Sequence, residues 1–297
     1  MLITHKLPVS YIVNKIKYEL LLTLLITIFI YHITHAYRDI LPTISFTIPA
    51  FIGTAISILL SFKLNQSYDR WWEARKIWGS IVNDSRTLVI QLQTLLQKPN
   101  RNLVHKIGFR QIAWCYSLGQ SLRGLDPTEN LETYLDQGEI SELKKHNNKP
   151  LKLLQMHAQD LQKLKESSSL ELFSQIHINN TIVKLTDAMG KAERIKTTVF
   201  PITYRILLHL IIYLFVIILS ISLTNFSLFF EISLLLSIAS VFFLLDKTAL
   251  HLQDPFSNRS TDVSVTAIAR TIEINIKQLL EEHDIPKPAI AEKYFLM

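Results

Sequence analysis

FTIPAFIGTAISILLSFKLNQSYDRWWEAR, residues 46–75, is the stretch whose reading decides the architecture. From Phe46 to Phe62 it carries no charge. At 1.5 Å of rise per residue, a helix of that length comes close to crossing a hydrocarbon core about 30 Å thick. From Lys63 onward the sequence turns abruptly polar. Trp71 and Trp72 follow, a pair suited to a membrane boundary, where an indole ring and its N–H need different surroundings. Pro42 and Pro49 interrupt only the start of the span, where a missing amide is tolerated. The segment predicts a membrane helix that ends in water.

Three further segments have the same character: Tyr18 to Tyr37, Tyr204 to Leu223 and Phe226 to Leu245. The first lacks a small-residue cleavage site and reads as an anchor, not a removable signal. Lysine and arginine flank the spans unevenly. Lys6, Lys15 and Lys17 precede the first span. Lys63, Arg70, Arg75, Lys76 and Arg86 follow the second. Lys184, Lys191, Arg194, Lys196 and Arg205 lead into the third, and Lys247, Arg259 and Arg270 follow the fourth. The loop after span one holds only Arg38, and Thr224 to Ser227 holds no charge. The positive-inside rule then places both termini and the long middle segment in the cytoplasm. The expected division is 1–62 with spans 18–37 and 46–62, a cytoplasmic body over 63–203, two spans over 204–245, and C-terminal cytoplasmic helices over 246–297.

The body shows apolar residues at helical spacing, as in Leu88, Leu92 and Leu95, then Leu151, Leu154, Ala158 and Leu161, and no useful run alternates like a strand. Only seven of the 297 residues are glycine. The fold class expected is an all-α integral membrane protein with a large helical body continuous with the membrane helices. Helix breaks are expected at Asp126-Pro127-Thr128, at Asn147 to Pro150 and at Ser167 to Ser169.

The sequence carries no phosphate-binding glycine loop, His-Glu-x-x-His helix, Gly-x-Ser-x-Gly elbow or Cys/His ligand spacing, so no catalytic residue, metal site or cofactor is expected. The histidines are scattered, which fits hydrogen-bonded or interfacial roles. A net charge of +6 is not gathered into a basic tract with interleaved aromatics, so nucleic acid is not an expected partner. Cys115 is the only cysteine, so no internal disulfide can form, as suits a reducing compartment.

Span two holds two rows at four-residue spacing, each on one helix face. Gly53, Ser57 and Ser61 form a small-residue row suited to close helix packing in lipid. Thr54, Ile58 and Phe62 form the other. In a symmetric ring of such helices they would stack as collars, a hydrophobic constriction that opens by dilation and wetting. The same row could instead face lipid or another helix.

The string Phe62-Lys63-Leu64-Asn65-Gln66-Ser67-Tyr68-Asp69-Arg70-Trp71-Trp72-Glu73-Ala74-Arg75 resembles the bestrophins. So do Trp78-Gly79, Pro201 with Tyr204 opening span three, and Asp254-Pro255-Phe256 after span four. The likeness extends over nearly the whole chain and is greatest to compact bacterial members. It implies a pentamer with one axial pore, whose neck is lined by the second membrane helix. Counted back from Arg70, that neck falls on Thr54, Ile58 and Phe62. Thr54 stands where the family usually has a third large apolar residue. Counted back from Pro201, a second, cytoplasmic constriction falls on Phe173 or Ile176. Animal members follow the Pro-Phe pair with a run of acids resembling a calcium clasp. Here those positions read Ser257-Asn258-Arg259-Ser260-Thr261-Asp262, too few carboxylates for an ion that needs six to eight oxygens, and no calcium gating is expected.

The resemblance thus implies passive conduction of small monovalent ions, in a bacterial inner membrane, by a homo-oligomer surrounded by lipid, with no enzymatic step. Asp39 and Glu231, if both face the axis, favour cations; Arg38 and any helix amino ends aimed at the pore favour anions. Animal members suggest chloride and bacterial members allow cations, so the sign is open at this point. Two other readings remain: a secondary transporter, for which Glu231 is the one supporting feature, and a membrane-anchored scaffold that binds a soluble partner.

Overall fold

The computed structural model describes residues 9–40, 44–98, 100–198, 201–291 and 295; Lys6 and Pro42 lie outside them. The described residues form helices joined by short connections, in the order α1 (Val9–Ala36), α2 (Thr47–Leu95), α3 (Arg101–Arg123), a 3₁₀ turn (Leu131–Thr133), α4 (Gln137–Lys144), α5 (Lys149–Glu166), α6 (Leu172–Thr197), α7 (Ile202–Ser222), α8 (Leu228–Gln253) and α9 (Val265–Leu279). Leu96 and Leu170 form an isolated antiparallel bridge. Four helices, α1, α2, α7 and α8, are long and apolar enough to cross a membrane.

The described residues separate into two compact units, one of those up to 70 and those of 201–253, the other of those within 71–198 and from 254 onward. These divisions fall later in the chain than the boundaries at 62 and 245, because α2 and α8 both run on past their apolar segments. In α2 a single helix of 49 residues carries the chain from one unit into the other. No glycine or proline interrupts it between Gly53 and Gly79, so the membrane row and the tryptophan string both pass without a break.

The membrane unit contains α1, the first half of α2, α7 and α8, with α1 packed on α7 and α8. Its core is aliphatic and aromatic, built from Ile16, Ile56, Leu60, Leu208, Ile212, Phe215, Leu235, Ala239 and Phe243. Thr23 and Thr27 are buried on α1, and each hydroxyl donates to the carbonyl one turn back, at 2.8 and 2.9 Å, so neither leaves a polar group unpaired in an apolar setting. Most large side chains on the outer faces, including Leu25, Phe29, Leu210 and Phe229, are exposed, as they should be where lipid is the solvent.

The second unit packs the remainder of α2 with α3 to α6 and α9 around Trp78, Leu88, Trp114, Ile112, Leu185 and Ile272. The expected breaks fall where local chemistry puts them. Helix α3 ends at Gly124, which takes φ +73°, a left-handed value that glycine adopts without strain. Asp126 then accepts from the backbone N–H and the hydroxyl of Thr128. Asn148 caps α5 by accepting from Leu151 N–H at 3.0 Å, with Pro150 in the first turn. Asp136 and Glu139 close a reciprocal capping box at the start of α4.

Candidate functional site

The first half of α2 has two unlike faces. Ile56, Leu60, Lys63 and Ser67 are buried within the membrane unit. At about 100° per residue their mean direction is roughly opposite that of Thr54, Ile58 and Phe62. Thr54 is exposed, Ile58 is 52% exposed and Phe62 63%. One subunit therefore leaves the whole row uncovered. The exposed face continues beyond the apolar segment through Asn65 and Asp69, which are also exposed.

Within one subunit the small-residue row is only partly covered. Gly53 does pack: a Cβ there would meet Cε2 of Phe215 on α7 at 3.2 Å. Ser57 and Ser61 are exposed, because each step of four residues advances about 40° around the helix and carries the row off the contact. Thr54 and Ser57 instead border an open groove of about 440 Å³ beside Phe215 and Phe242, and each hydroxyl bonds to its own helix backbone.

Next to Phe62 lies a buried ion cluster. The Lys63 ammonium donates to Oδ1 of Asp246 on α8 at 2.6 Å, both side chains being 1% exposed. Oδ2 of the same carboxylate meets Nε2 of His209 on α7 at 2.9 Å. Three helices are thus tied together one residue below the exposed row. A buried lysine or carboxylate alone would be very costly, and here each has its partner. Two more links lie at this end of the spans: Lys247 to Glu19 at 2.5 Å and Lys15 to Nδ1 of His251 at 3.0 Å. Arg70 Nε donates to the carbonyl of Gln253, the last residue of α8, at 2.9 Å. Lys63 is therefore a member of the membrane unit and not the first residue of the body. Sequence reasoning missed the cluster. The signal was available: a lysine directly after span two and an aspartate directly after span four lie at the same depth in a four-span topology.

The rest of the tryptophan string divides its work along the helix. Trp71 is half-buried and donates from Nε1 to the carbonyl of Thr261 at 3.1 Å. Trp72 and Tyr68 are exposed, and Trp78 is fully buried. Glu73 pairs with Lys76 on the surface at 2.6 Å, and Arg75 lies against Gly79. Phe256 of Asp254-Pro255-Phe256 enters the core of the second unit, with Pro255 buried and Asp254 half-buried beside it. In the following loop Asp262 is buried and accepts from the Arg259 N–H at 3.1 Å, and burial raises its carboxyl above the ordinary carboxylate range. No group of three or more His, Cys, Asp or Glu side chains suited to a metal ion occurs among the described residues.

Phe173 and Ile176, in the first turns of α6, are exposed by 71% and 48%. Of the two acids expected at a mouth, Asp39 is exposed. Glu231 is buried inside the membrane unit, where it accepts from the Ser220 hydroxyl of α7. The first turn of α8 thus points this position at α7, and within one subunit Glu231 is an internal hydrogen-bonded group. Arg38 donates to Oδ1 of Asn225 at 2.8 Å, joining the connection after α1 to the one between α7 and α8.

A profile of the bacterial/fungal bestrophin protein family matches residues 5–278. The voltage-dependent anion channel-forming protein YneE of Salmonella typhi is 30% identical over 286 residues, covering 96% of this chain and 93% of that protein. Its counterpart in Escherichia coli K12 is 29% identical over the same share of each chain. Among solved structures, a bacterial bestrophin homologue from Klebsiella pneumoniae superposes with a TM-score of 0.84 at 28% identity, covering 91% of this chain and all of that one. The uncovered row, the helix that carries it and the string that follows therefore sit in a multi-pass membrane protein that belongs to the bacterial bestrophin family.

Proposed function

We propose that the chain assembles as a pentameric ring in the bacterial inner membrane, with both termini cytoplasmic, and conducts small monovalent ions passively through a neck of stacked Thr54, Ile58 and Phe62 collars. The observation that carries this reading is the split character of α2. One face is buried and fixed through Lys63, while the opposite face, uncovered in a single subunit, holds the row. Rings of Ile58 and Phe62 exclude water when narrow and admit ions when dilated. Thr54 makes the outer collar smaller and wetter than the other two. Phe173 and Ile176 are available for a second ring at the body end. No step needs a catalytic residue, metal or cofactor.

The family relatives are named as anion channel-forming proteins, which supports anions as the conducted species. Burial of Glu231 agrees, since it removes one of the two acids that favoured cations. The Ser257–Asp262 loop offers one buried carboxylate in place of an acidic run, so calcium does not gate the channel.

The test is the purified protein in a planar bilayer under a sodium chloride gradient, with and without calcium chelator. The expected result is unitary current that reverses toward the chloride potential, unaffected by chelation, and larger in an Ile58→Ala/Phe62→Ala variant. Reversal at the sodium potential would overturn the anion assignment, steep calcium dependence the ungated reading, and absence of unitary steps in both proteins the channel itself.

A further inference from the structure

Conduction along α2 makes no use of a cavity of about 330 Å³ between α7 and α8, lined by Arg205, Ile206, His209, Asp246, Lys247 and Leu250. It lies at the end of the spans that carries the ion cluster. The charged groups around it do not cancel. Asp246 is already held between Lys63 and His209, and Glu19 is held by Lys247. Arg205 is exposed and has no hydrogen bond or ion pair among the described residues. The cavity therefore presents an unmatched guanidinium with the Lys247 ammonium beside it, one turn into α7.

Its flank is apolar. Ile206 is mostly exposed, and Leu207 and Leu210 continue that exposed surface along α7 into the membrane. A pocket with a cationic floor at the boundary and an apolar wall running into the hydrocarbon matches a molecule that is anionic at one end and aliphatic at the other. Basic pockets between membrane helices bind anionic headgroups in this way. Arginine suits the task because its planar fork can meet two phosphate oxygens at once.

We propose that this cavity binds the phosphodiester headgroup of an anionic phospholipid, with Arg205 and Lys247 as the phosphate contacts and the acyl chains lying along Ile206 and Leu210. A soluble phosphate could use the same two cations but not the apolar wall.

The test is native mass spectrometry of the full-length protein released from detergent after incubation with dioleoylphosphatidylglycerol, with dioleoylphosphatidylcholine, or with phosphatidylglycerol plus millimolar inorganic phosphate. Preferential retention of phosphatidylglycerol is expected. Arg205→Gln should weaken it about fivefold, the contribution of one basic residue at a membrane surface, and Arg205→Lys should restore most of the loss. Lys165→Gln, at an exposed position on α5, should leave it unchanged. Because Arg205 has no structural partner, the variant should fold as the parent does. Equal retention by the parent and Arg205→Gln, or equal retention of the two lipids, would overturn the site. Displacement by inorganic phosphate would overturn the lipid as its occupant. The readout contains no current, so it stands or fails separately from the conduction reading.

Discussion

Arg110 on α3 is almost fully buried, and it survives there because Glu139 and Asp160 take its guanidinium at 2.5 and 2.8 Å. His157, one turn before Asp160 on α5, shares the site. Its ring is fully buried, neither nitrogen has a protein hydrogen-bond partner, and burial first, then the Arg110 charge, hold it well below the ordinary 6.5. The folded protein keeps the ring neutral while the unfolded chain takes up a proton near 6.5, so this residue costs no stability above that value and an increasing amount below it. Each pH unit of descent should remove up to about 1.4 kcal/mol. Melting of the detergent-solubilised protein should therefore fall between about pH 7.5 and about pH 5.5, and His157→Leu should remove part of that fall. An identical pH dependence in the two proteins would show that His157 already binds its proton in the folded state.

At the scale of the element, packing on one side of the first half of α2 sets what is presented on the other. Lys63 is the fixed point, since its bond to Asp246 joins α2 to α8 and, through His209, to α7. Breaking a buried pair by removing one partner costs about 3–5 kcal/mol, mostly for the charge left behind. Asp246→Asn should accordingly lower the melting temperature more than Lys63→Met/Asp246→Leu, which removes both charges; a double variant worse than the single would mean that the pair is not the source of the effect. Much of this element was legible beforehand. Its apolar half and the four-residue row follow from spacing, the placing of that row at the neck follows only from the resemblance carried by the tryptophan string, and the turns at Asp126, Asn148 and Ser167 follow from local hydrogen bonding. What spacing could not supply was the phase of the helix against its neighbours. Gly53, Ser57 and Ser61 read as one packing row because they are small; within a single subunit Gly53 is the member that approaches Phe215. Glu231 read as a mouth charge because it is a carboxylate near a span end, yet its direction is set by α7 through Ser220. Asp246, the shared partner of Lys63 and His209, lies 183 residues from the first and 37 from the second, on another helix in each case, and no local pattern encodes the pairing.

For the whole molecule, the proposed ring makes one row of one helix face water while the outer faces of α1, α7 and α8 meet lipid. The protein offers a clean way to tell these surroundings apart. Its single cysteine, Cys115, is fully buried, and burial pushes its thiol up to about 12, so it is inert toward aqueous thiol reagents. New cysteines can therefore be placed in the native chain without removing an old one. The most direct measurement is the effect of a charged, membrane-impermeant methanethiosulfonate on bilayer currents of Ile58→Cys, with Leu210→Cys as the lipid-facing comparison and the native protein as blank. The account predicts a change of current in Ile58→Cys and none in the other two. An Ile58→Cys channel that conducts but ignores the reagent, or a Leu210→Cys channel that responds equally, would contradict the placement of the α2 row around the pore.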